Sequence, residues 1–348
     1  MIQHPTVFII ILNWNGLEDT LECLGSIDTL LYGNYRVIVV DNGSSDGSAP
    51  IIRRKHPSVT IIENSENLGF TGGNNIGMRY AMEKGADYIW LLNNDTVVAD
   101  DTLKELVDYA EKYKEAGLLS PYIYFYDSPE MIQFRGSTVD WNNFDIKKLN
   151  TENDHDLSGR DTDMVLWGTA LFIRRSTIET IGYLDEKYFA YYEDEDYCLR
   201  ALKNGLGCGV VPGAKVYHKD SRSTGGYTAP MQVFLRSRNY YFLWMDKLKD
   251  LEKGKYFFRS VANTISYGGY LKEKNLQESM EACVDGLWSG IKGVGGRIDG
   301  KVNMPGPLKF LFIRIYFRNS YFWACLFLGE INNIVKKLRS SGKGKLLQ

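Results

Sequence analysis

The chain has 348 residues, of which 24% are charged and 44% are hydrophobic, a balance that excludes a disordered protein. Nine prolines and 34 glycines exclude a collagen-like or low-complexity sequence. The five cysteines are odd in number and contain no CxxC pair. This argues against a disulfide scaffold or a structural zinc site and fits a reducing cytosol.

The first half of the sequence alternates short apolar runs with amphipathic stretches. The apolar runs are predicted to be buried strands: Val7–Leu12, Arg36–Val40, Val59–Ile62 and Tyr88–Leu92. The amphipathic stretches are predicted to be helices: Leu17–Leu31, Ser45–Lys55, Thr71–Lys84 and Thr102–Ala116. Four strand–helix units in a row predict an α/β fold with a mainly parallel sheet, on which ligands bind at the carboxyl ends of the strands.

The second half of the sequence changes from mixed to helical patterning. The polar stretch 140–163 is predicted to be a loop, and strand-like and helical pieces resume from Val165 to about Val216. Helices are predicted over Met231–Leu248, Tyr256–Leu271, Leu276–Ile291 and Leu308–Arg339. The sequence therefore predicts two domains, residues 1–228 and a helical C-terminal region, residues 229–348.

The charge is unevenly distributed, although the net charge is only −2. Residues 301–348 carry nine Lys or Arg and one Glu, a net +8, so the first 300 residues carry −10. An acidic body argues against a nucleic-acid ligand. The stretch Leu308–Leu328 is apolar but is interrupted by Arg314 and Arg318, and its uninterrupted part, Tyr321–Leu328, is far shorter than the roughly 20 residues that span a bilayer. The stretch fits either the membrane interface or a helix packed on the first domain or on a second subunit.

Two polar motifs follow predicted strands. Asp41 ends the second strand and precedes Gly43 and Ser44, so its carboxylate can accept hydrogen bonds from a base or ribose, although an ordinary turn has the same composition. Asp95 closes the triplet that begins at Asn93, where a carboxylate can bind a divalent cation that bridges a diphosphate, or cap the next helix.

A third motif contains four consecutive carboxylates, Glu193-Asp194-Glu195-Asp196, at the start of a predicted helix. Stabilisation of the helix dipole needs fewer than four carboxylates. The mutual repulsion of these carboxylates favours retention of a proton, which suits a general base. His218 follows a strand-like run, and a single histidine is more often structural than a ligand.

Together these motifs resemble a known family. In chain order they are Asn13-Trp14-Asn15-Gly16, Asp41-Asn42-Gly43-Ser44-Ser45-Asp46-Gly47, Asn67-Leu68-Gly69-Phe70-Thr71-Gly72-Gly73-Asn74-Asn75, Asn93-Asn94-Asp95, Glu193-Asp194-Glu195-Asp196 and His218. The set resembles the inverting glycosyltransferases of family 2, which have the GT-A (nucleotide-diphospho-sugar transferase) fold, and within them the bacterial rhamnosyltransferase-like branch. The resemblance covers residues 5–225, and its strength lies in the order of six individually weak motifs.

The resemblance assigns roles to individual residues. Asp41 would contact the base or ribose of a nucleotide sugar. The nucleotide sugar would also bind to four asparagines: Asn13, Asn15, Asn93 and Asn94. A fifth, Asn74, would face the sugar diphosphate. Asp95 would bind Mg²⁺ or Mn²⁺ with His218 as its partner, because Asn93 replaces the first Asp of the family's Asp-x-Asp motif. Asp194 would be the catalytic base, and Trp167, Gly168 and Glu193 would border the acceptor.

The resemblance also implies the reaction. It predicts transfer of a sugar, first of all L-rhamnose from dTDP-rhamnose and after that UDP-linked hexoses, to a hydroxyl of a glycan or lipid-linked oligosaccharide in bacterial surface polysaccharide synthesis. The protein would be cytoplasmic. If the basic tail, residues 301–348, binds lipid, the protein would lie at the inner face of the membrane; if the tail binds a second subunit, the protein would be a homo-oligomer. A nucleotidyltransferase and a non-catalytic nucleotide-sugar-binding protein are the alternatives. A nucleotidyltransferase usually has a basic Gly-rich loop after its first strand, whereas Asn13–Gly16 contains no basic residue.

Overall fold

The protein divides into two compact units, Met1–Ser223 and Thr224–Gln348, in the computed structural model. The structure describes residues 4–149, 163–219, 228–297, 299, 302–311 and 313. The sequence places the boundary at residue 228, five residues after the end of the first unit. The roles predicted for the two domains remain predictions.

The first four strands form the predicted parallel layer. They are β1 (Val7–Asn13), β2 (Tyr35–Asp41), β3 (Thr60–Glu63) and β4 (Tyr88–Asn93). They lie in the order β3-β2-β1-β4, and every pair in this series is parallel. The connecting helices are α1 (Leu17–Ile27), α2 (Ser48–Lys55), α3 (Gly69–Glu83) and α4 (Thr102–Lys112, after the short strand β5). The carboxyl ends of these strands therefore share one edge, as the sequence predicts.

The rest of the nine-stranded sheet mixes strand directions. Beyond β4 the order continues β11-β6-β12-β5, and β7 pairs with β6. These strands are β5 (Thr96–Val98), β6 (Ala116–Phe125), β7 (Ser128–Phe134), β11 (Ala170–Arg174) and β12 (Gly207–His218). Strand β11 is antiparallel to both neighbours, whereas β12 is parallel to β6 and antiparallel to β5. The predicted α/β class is confirmed, with parallel strands in the first half and mixed strands in the second.

A second, three-stranded sheet has one of its strands, β9, inside the stretch predicted to be a loop. Strands β8 (Ser137–Asp140), β9 (Asp145–Lys148) and β10 (Met164–Val165) pair antiparallel in the order β10-β8-β9. The loop prediction is therefore wrong for residues 145–148, which pair with β8 in a short hairpin, with Asp145 opposite Asp140 and Lys148 opposite Ser137. Within that stretch, residues 150–162 lie outside the described residues.

Apolar side chains on both faces of the large sheet explain why its strands are continuously hydrophobic. Val7, Ile9 and Ile11 are fully buried, as is Trp90 on β4. Burial of a large aliphatic side chain contributes roughly 1.5–3 kcal/mol, so the β1–β4 pair forms a rigid centre from which the polar strand ends project.

The remaining helices are α5 (Arg175–Ile181) and α6 (Glu193–Lys203) in the first unit, and α7 (Pro230–Met245), α8 (Asp250–Glu273), α9 (Gln277–Ile291) and α10 (Gly306–Leu311) in the second. Helix α8 begins six residues before the predicted start, and its first turn is stabilised by the Glu252 carboxylate, which accepts a 3.1 Å hydrogen bond from the Lys249 amide. The helix predicted over Leu308–Arg339 lies largely outside the described residues. Among the residues that are described, no helix combines the length and apolarity that crossing a bilayer requires.

Candidate active site

Asp41 is held in place at the end of β2 by neighbouring side chains. Register places Asn13 directly opposite it, and the Asn13 Nδ2 group donates to Asp41 Oδ1 over 2.7 Å. The Ser44 hydroxyl donates to the same oxygen over 2.6 Å, and the Ser44 amide donates to Oδ2 over 3.3 Å. Asp41 is buried but retains 5% exposure, whereas Asn13 is completely buried. Asn13 thus orients Asp41, and the pocket-lining role predicted for Asn13 remains a prediction.

The loops after β1 and β2 are joined to each other. Asn15 has a left-handed backbone with a φ of 51°, and its Oδ1 accepts a 2.8 Å hydrogen bond from the Ser45 amide. The Asn15 amide in turn donates to the Ser44 hydroxyl over 2.9 Å. This pairing fixes both loops beside Asp41, which is where the sequence predicts a base or ribose.

The Asn93–Asp95 loop is fixed from two sides. The Asn93 amide donates to the carbonyl of Thr169 over 2.9 Å. The Asn94 side chain donates to the hydroxyl of Thr20 over 3.1 Å, and that hydroxyl donates onward to Asn13 Oδ1 over 2.8 Å. Thr20, which the sequence does not single out, therefore links the Asp41 side of the site to the Asp95 side.

Asp95 and His218 meet although 123 positions separate them. Strands β5 and β12 pair antiparallel with Thr96 opposite His218, so the residue before β5 lies beside the imidazole. The His218 Nε2 atom is 3.3 Å from Asp95 Oδ1, and both side chains are about nine-tenths buried. Asp95 Oδ1 accepts no hydrogen bond from any residue that the structure describes.

These two donors fit a hard divalent cation. A carboxylate oxygen suits Mn²⁺ or Mg²⁺, whereas an imidazole nitrogen is a softer ligand that suits Mn²⁺ better than Mg²⁺. Two ligands about 2.1 Å from one ion lie about 3 Å apart, close to the observed 3.3 Å. A buried carboxylate oxygen without a hydrogen bond is costly unless something binds it. Within the described ranges no third His, Cys, Asp or Glu completes the cluster, so ligands from the substrate would have to.

Asp194 lies in the first turn of α6 and is held by two backbone amides. The Gly168 amide donates to its Oδ2 over 2.6 Å, and the Glu195 amide donates to its Oδ1 over 3.0 Å. A Cβ atom on residue 168 would lie 3.4 Å from Asp194 Oδ2, an ordinary van der Waals distance, so this contact does not by itself require glycine. Trp167, which precedes Gly168, stacks on Phe134 with ring centroids 4.2 Å apart.

A short chain of contacts connects Asp194 to Asp95. Gly168 contacts Asp194, and the next residue, Thr169, accepts the hydrogen bond from Asn93. The antiparallel register of β11 and β4, with Ala170 opposite Leu92, produces this arrangement. The carboxylate on α6 and the Asp95–His218 pair thus lie along one edge of the sheet.

Comparison with known proteins identifies the family of this chain. Residues 8–182, half of the chain, match the family described as glycosyl transferase family 2. The chain belongs to glycosyltransferase family 2. Both the resemblance inferred from the sequence and the assignment as a glycosyltransferase enzyme are confirmed. The match ends before Asp194 and His218, so their roles depend on the geometry.

Two relatives of this family 2 member are named as sugar transferases. A low-salt glycan biosynthesis hexosyltransferase, Agl10 of Haloferax volcanii, is 26% identical over 83% of this chain and 91% of its own. A dTDP-rhamnosyl transferase, RfbF of Shigella flexneri, is 25% identical over 84% of this chain and 98% of its own, which supports the predicted rhamnosyltransferase-like branch. The crystal structure of S. aureus TarS residues 1–349 with UDP-GlcNAc shares the fold, with a TM-score of 0.56 at 15% identity, over 95% of this chain and 92% of that one.

The four carboxylates of this family 2 enzyme have different environments. Burial, and secondly the charge of Asp194, raises the pKa of Glu193 well above 4.5, and the same two causes raise the pKa of Glu195. The Oε2 atoms of both are buried and meet no hydrogen-bond partner in the described part of the chain. Asp196 instead accepts a 2.8 Å bond from Arg200. The two glutamates that flank Asp194 are therefore the carboxyl groups of this cluster that favour retention of a proton.

The backbone before α6 is strained. Phe189, Tyr191 and Tyr192 have φ values of 65° to 70°, a region that non-glycine residues rarely occupy. The start of α3 holds this segment, because the Thr71 amide donates to the Phe189 carbonyl over 3.1 Å. Asn75 holds the chain further upstream through the Leu184 carbonyl and the Glu186 carboxylate, each at 2.9 Å.

Asn74 uses its side-chain amide within α3. Its Nδ2 atom donates to the Phe70 carbonyl over 2.9 Å, and the side chain is 2% exposed. The predicted contact of Asn74 with the sugar diphosphate remains a prediction. The neighbouring Asn75 carries the structural role that the motif alone does not distinguish from binding.

Proposed function

We propose that this family 2 enzyme is an inverting, divalent-metal-dependent glycosyltransferase that moves a sugar from a nucleotide sugar to an acceptor hydroxyl. The observation that carries the proposal is the Asp95–His218 pair, whose facing atoms lie 3.3 Å apart with the carboxylate oxygen otherwise unbonded among the described residues. The amide-held carboxylate of Asp194 on the same edge supplies the complementary group.

Asp95 and His218 would hold Mg²⁺ or Mn²⁺. When bound there, the cation would neutralise charge that develops on the departing nucleoside diphosphate. Two protein ligands suit such ions, which commonly complete their coordination with water and substrate phosphates. The neighbouring Asn93 and Asn94 fix the loop that carries Asp95.

Asp194 would act as the general base. Its carboxylate accepts the proton of the acceptor hydroxyl while that oxygen forms a bond to the anomeric carbon. The bond from the anomeric carbon to the phosphate oxygen breaks, and its electron pair leaves with the diphosphate. A single displacement from the opposite side inverts the anomeric centre, and no covalent intermediate on the enzyme is required.

The two amides that donate to Asp194 fix the carboxylate without neutralising it. Each carboxylate oxygen retains further lone-pair capacity after it accepts one hydrogen bond. Glu193 and Glu195, whose raised pKa values favour the neutral form, limit the negative charge around Asp194. Trp167, Gly168 and Glu193 would border the acceptor beside this base.

The donor nucleotide would lie against Asp41 and Asn15. The first donor candidate is dTDP-rhamnose, supported by the name of the Shigella relative, and UDP-linked hexoses follow. The acceptor would be a glycan or a lipid-linked oligosaccharide of a bacterial surface polysaccharide. The basic tail would bring the enzyme to the inner face of the membrane.

The test measures release of nucleoside diphosphate from dTDP-rhamnose and UDP-hexoses, with Mn²⁺, with Mg²⁺ and with EDTA. We expect release that requires metal and falls roughly 10²- to 10⁴-fold in Asp194→Asn, because a general base contributes about that factor. Asp95→Ala should lose release at ordinary metal concentrations. Asp108→Asn, an exposed carboxylate on α4, is the matched control and should keep wild-type release.

Undiminished release in EDTA would contradict metal dependence. Undiminished release in Asp194→Asn would contradict its assignment as the base. Retention of the donor's anomeric configuration in the product, determined by NMR, would contradict single displacement.

A further inference from the structure

Gln133 on β7 contacts the candidate metal pair but belongs to none of the sequence motifs. Its Oε1 atom lies 2.8 Å from His218 Nδ1, and its side chain is 3% exposed. An amide oxygen accepts hydrogen bonds and cannot donate them, so in this contact Nδ1 carries the hydrogen. In a neutral imidazole, Nε2 then presents a lone pair, and Nε2 is the atom that faces Asp95.

The backbone at Gln133 shows a separate irregularity. Strand β7 pairs with β6 through Phe134 opposite Ile123 and Ile132 opposite Tyr124. Two steps along β7 thus match one step along β6, so Gln133 is the extra residue of a β-bulge. Bulges redirect a side chain out of the regular alternation of a strand and are frequent beside active sites.

We propose that Gln133 is a positioning residue that fixes the His218 tautomer and directs the Nε2 lone pair at the cation held with Asp95. This inference rests on the proposed metal site. Residues that hydrogen-bond the second nitrogen of a ligating histidine fix the orientation of its ring, and their loss typically lowers metal affinity 10- to 100-fold.

The first test observes the tautomer directly and needs neither metal nor substrate. Long-range ¹H–¹⁵N NMR spectra of the histidine-labelled full chain in mildly alkaline buffer distinguish the two neutral forms. The four histidines can be assigned by comparison with His218→Asn. We expect His218 to carry its hydrogen on Nδ1. A hydrogen on Nε2 would overturn the inference.

The second test measures Mn²⁺ binding by the electron paramagnetic resonance signal of the free ion, with dTDP or UDP present. Gln133→Met removes the acceptor and should weaken Mn²⁺ binding 10- to 100-fold, whereas Gln133→Glu preserves an acceptor and should stay within threefold of wild type. Gln277→Met, which removes a surface hydrogen bond to Glu281, is the matched control and should bind as wild type.

The outcomes separate the inference from the proposed function. Wild-type affinity in Gln133→Met would overturn the positioning role, and so would loss of affinity in a folded Gln133→Glu. If Gln133→Met fails to fold, the NMR spectrum and Gln133→Glu still decide. A wild-type protein that binds no Mn²⁺ with either nucleotide would instead overturn the metal site on which the inference rests.

Discussion

Glu193 shows how a single buried carboxyl group links the site to stability. Its side chain is 5% exposed, and burial together with the charge of Asp194 raises its pKa well above 4.5. The native state therefore holds a proton that the unfolded chain releases above about pH 4.5. The stabilisation is complete below that pH and is lost as the pH rises towards the raised pKa, by about 1.4 kcal/mol per pH unit for one proton.

Glu193→Gln should consequently flatten the decline of stability above pH 4.5. The neutral amide has no proton to release, while Glu195 continues to contribute its own share. Chemical denaturation at a series of pH values measures the free energy of unfolding of both proteins. An unchanged slope in the variant would show that Glu193 is ionised in the folded protein.

At the level of elements, the start of α3 acts as a support for the strained segment before α6. Gly69 has a φ of +75°, and a Cβ atom there would lie 2.4 Å from the Phe189 carbonyl oxygen. Residue 69 therefore has both a backbone and a steric reason to be glycine. The same carbonyl accepts the Thr71 amide, so a displaced Phe189 would disturb the entry into α6.

We expect Gly69→Ala to lower the free energy of unfolding by roughly 2–4 kcal/mol, as backbone strain and a steric clash add. Gly85→Ala is the matched control, since Gly85 has a φ of +81° but open space around its Cβ position, and it should cost about 1 kcal/mol. Thermal and denaturant unfolding measure both. Equal losses in the two variants would exclude a contribution from the Phe189 contact.

The elements also show what the sequence can predict. Strands β1 and β4 are buried apolar runs, β2 is buried over its second half and β3 is only half-buried, yet local pattern locates the ends of all four within one residue. Local pattern also selects Asp95 as a candidate site residue, because it comes directly after a strand, and Asp194, because it lies among carboxylates at the start of a helix. The pairing of β5 with β12 and the insertion of β11 join distant segments, and no local pattern predicts such contacts. Gln133 belongs to no motif, because its proposed role depends on a bulge that no local pattern reveals.

For the whole molecule, the uneven charge leads to a prediction about lipid binding. The last 13 residues before the C-terminal Leu-Leu-Gln contain five basic side chains: Lys336, Lys337, Arg339, Lys343 and Lys345. Each basic residue near an anionic surface contributes about 1 kcal/mol of attraction. We expect the full chain to sediment with phosphatidylglycerol vesicles at low salt and to be released by high salt.

Replacement of those five residues by glutamine should abolish this sedimentation while nucleoside diphosphate release in solution stays unchanged. Vesicles of neutral phosphatidylcholine are the control and should bind neither protein. Equal sedimentation of the replaced and wild-type chains would contradict a role of the tail in membrane binding. Sedimentation that is insensitive to salt would contradict its electrostatic origin.

The hydrogen bond between Asn93 and Thr169 helps to fix the register of β11 along β4. A shift of β11 by one residue along β4 would carry Gly168 about 3.3 Å away from its place, and the amide that holds Asp194 would move with it. In the proposed mechanism, the gap between the entering oxygen and the departing oxygen would thus be set by the ladder of the central sheet. Exchanging surface loops to accept other sugars would leave that gap unaltered.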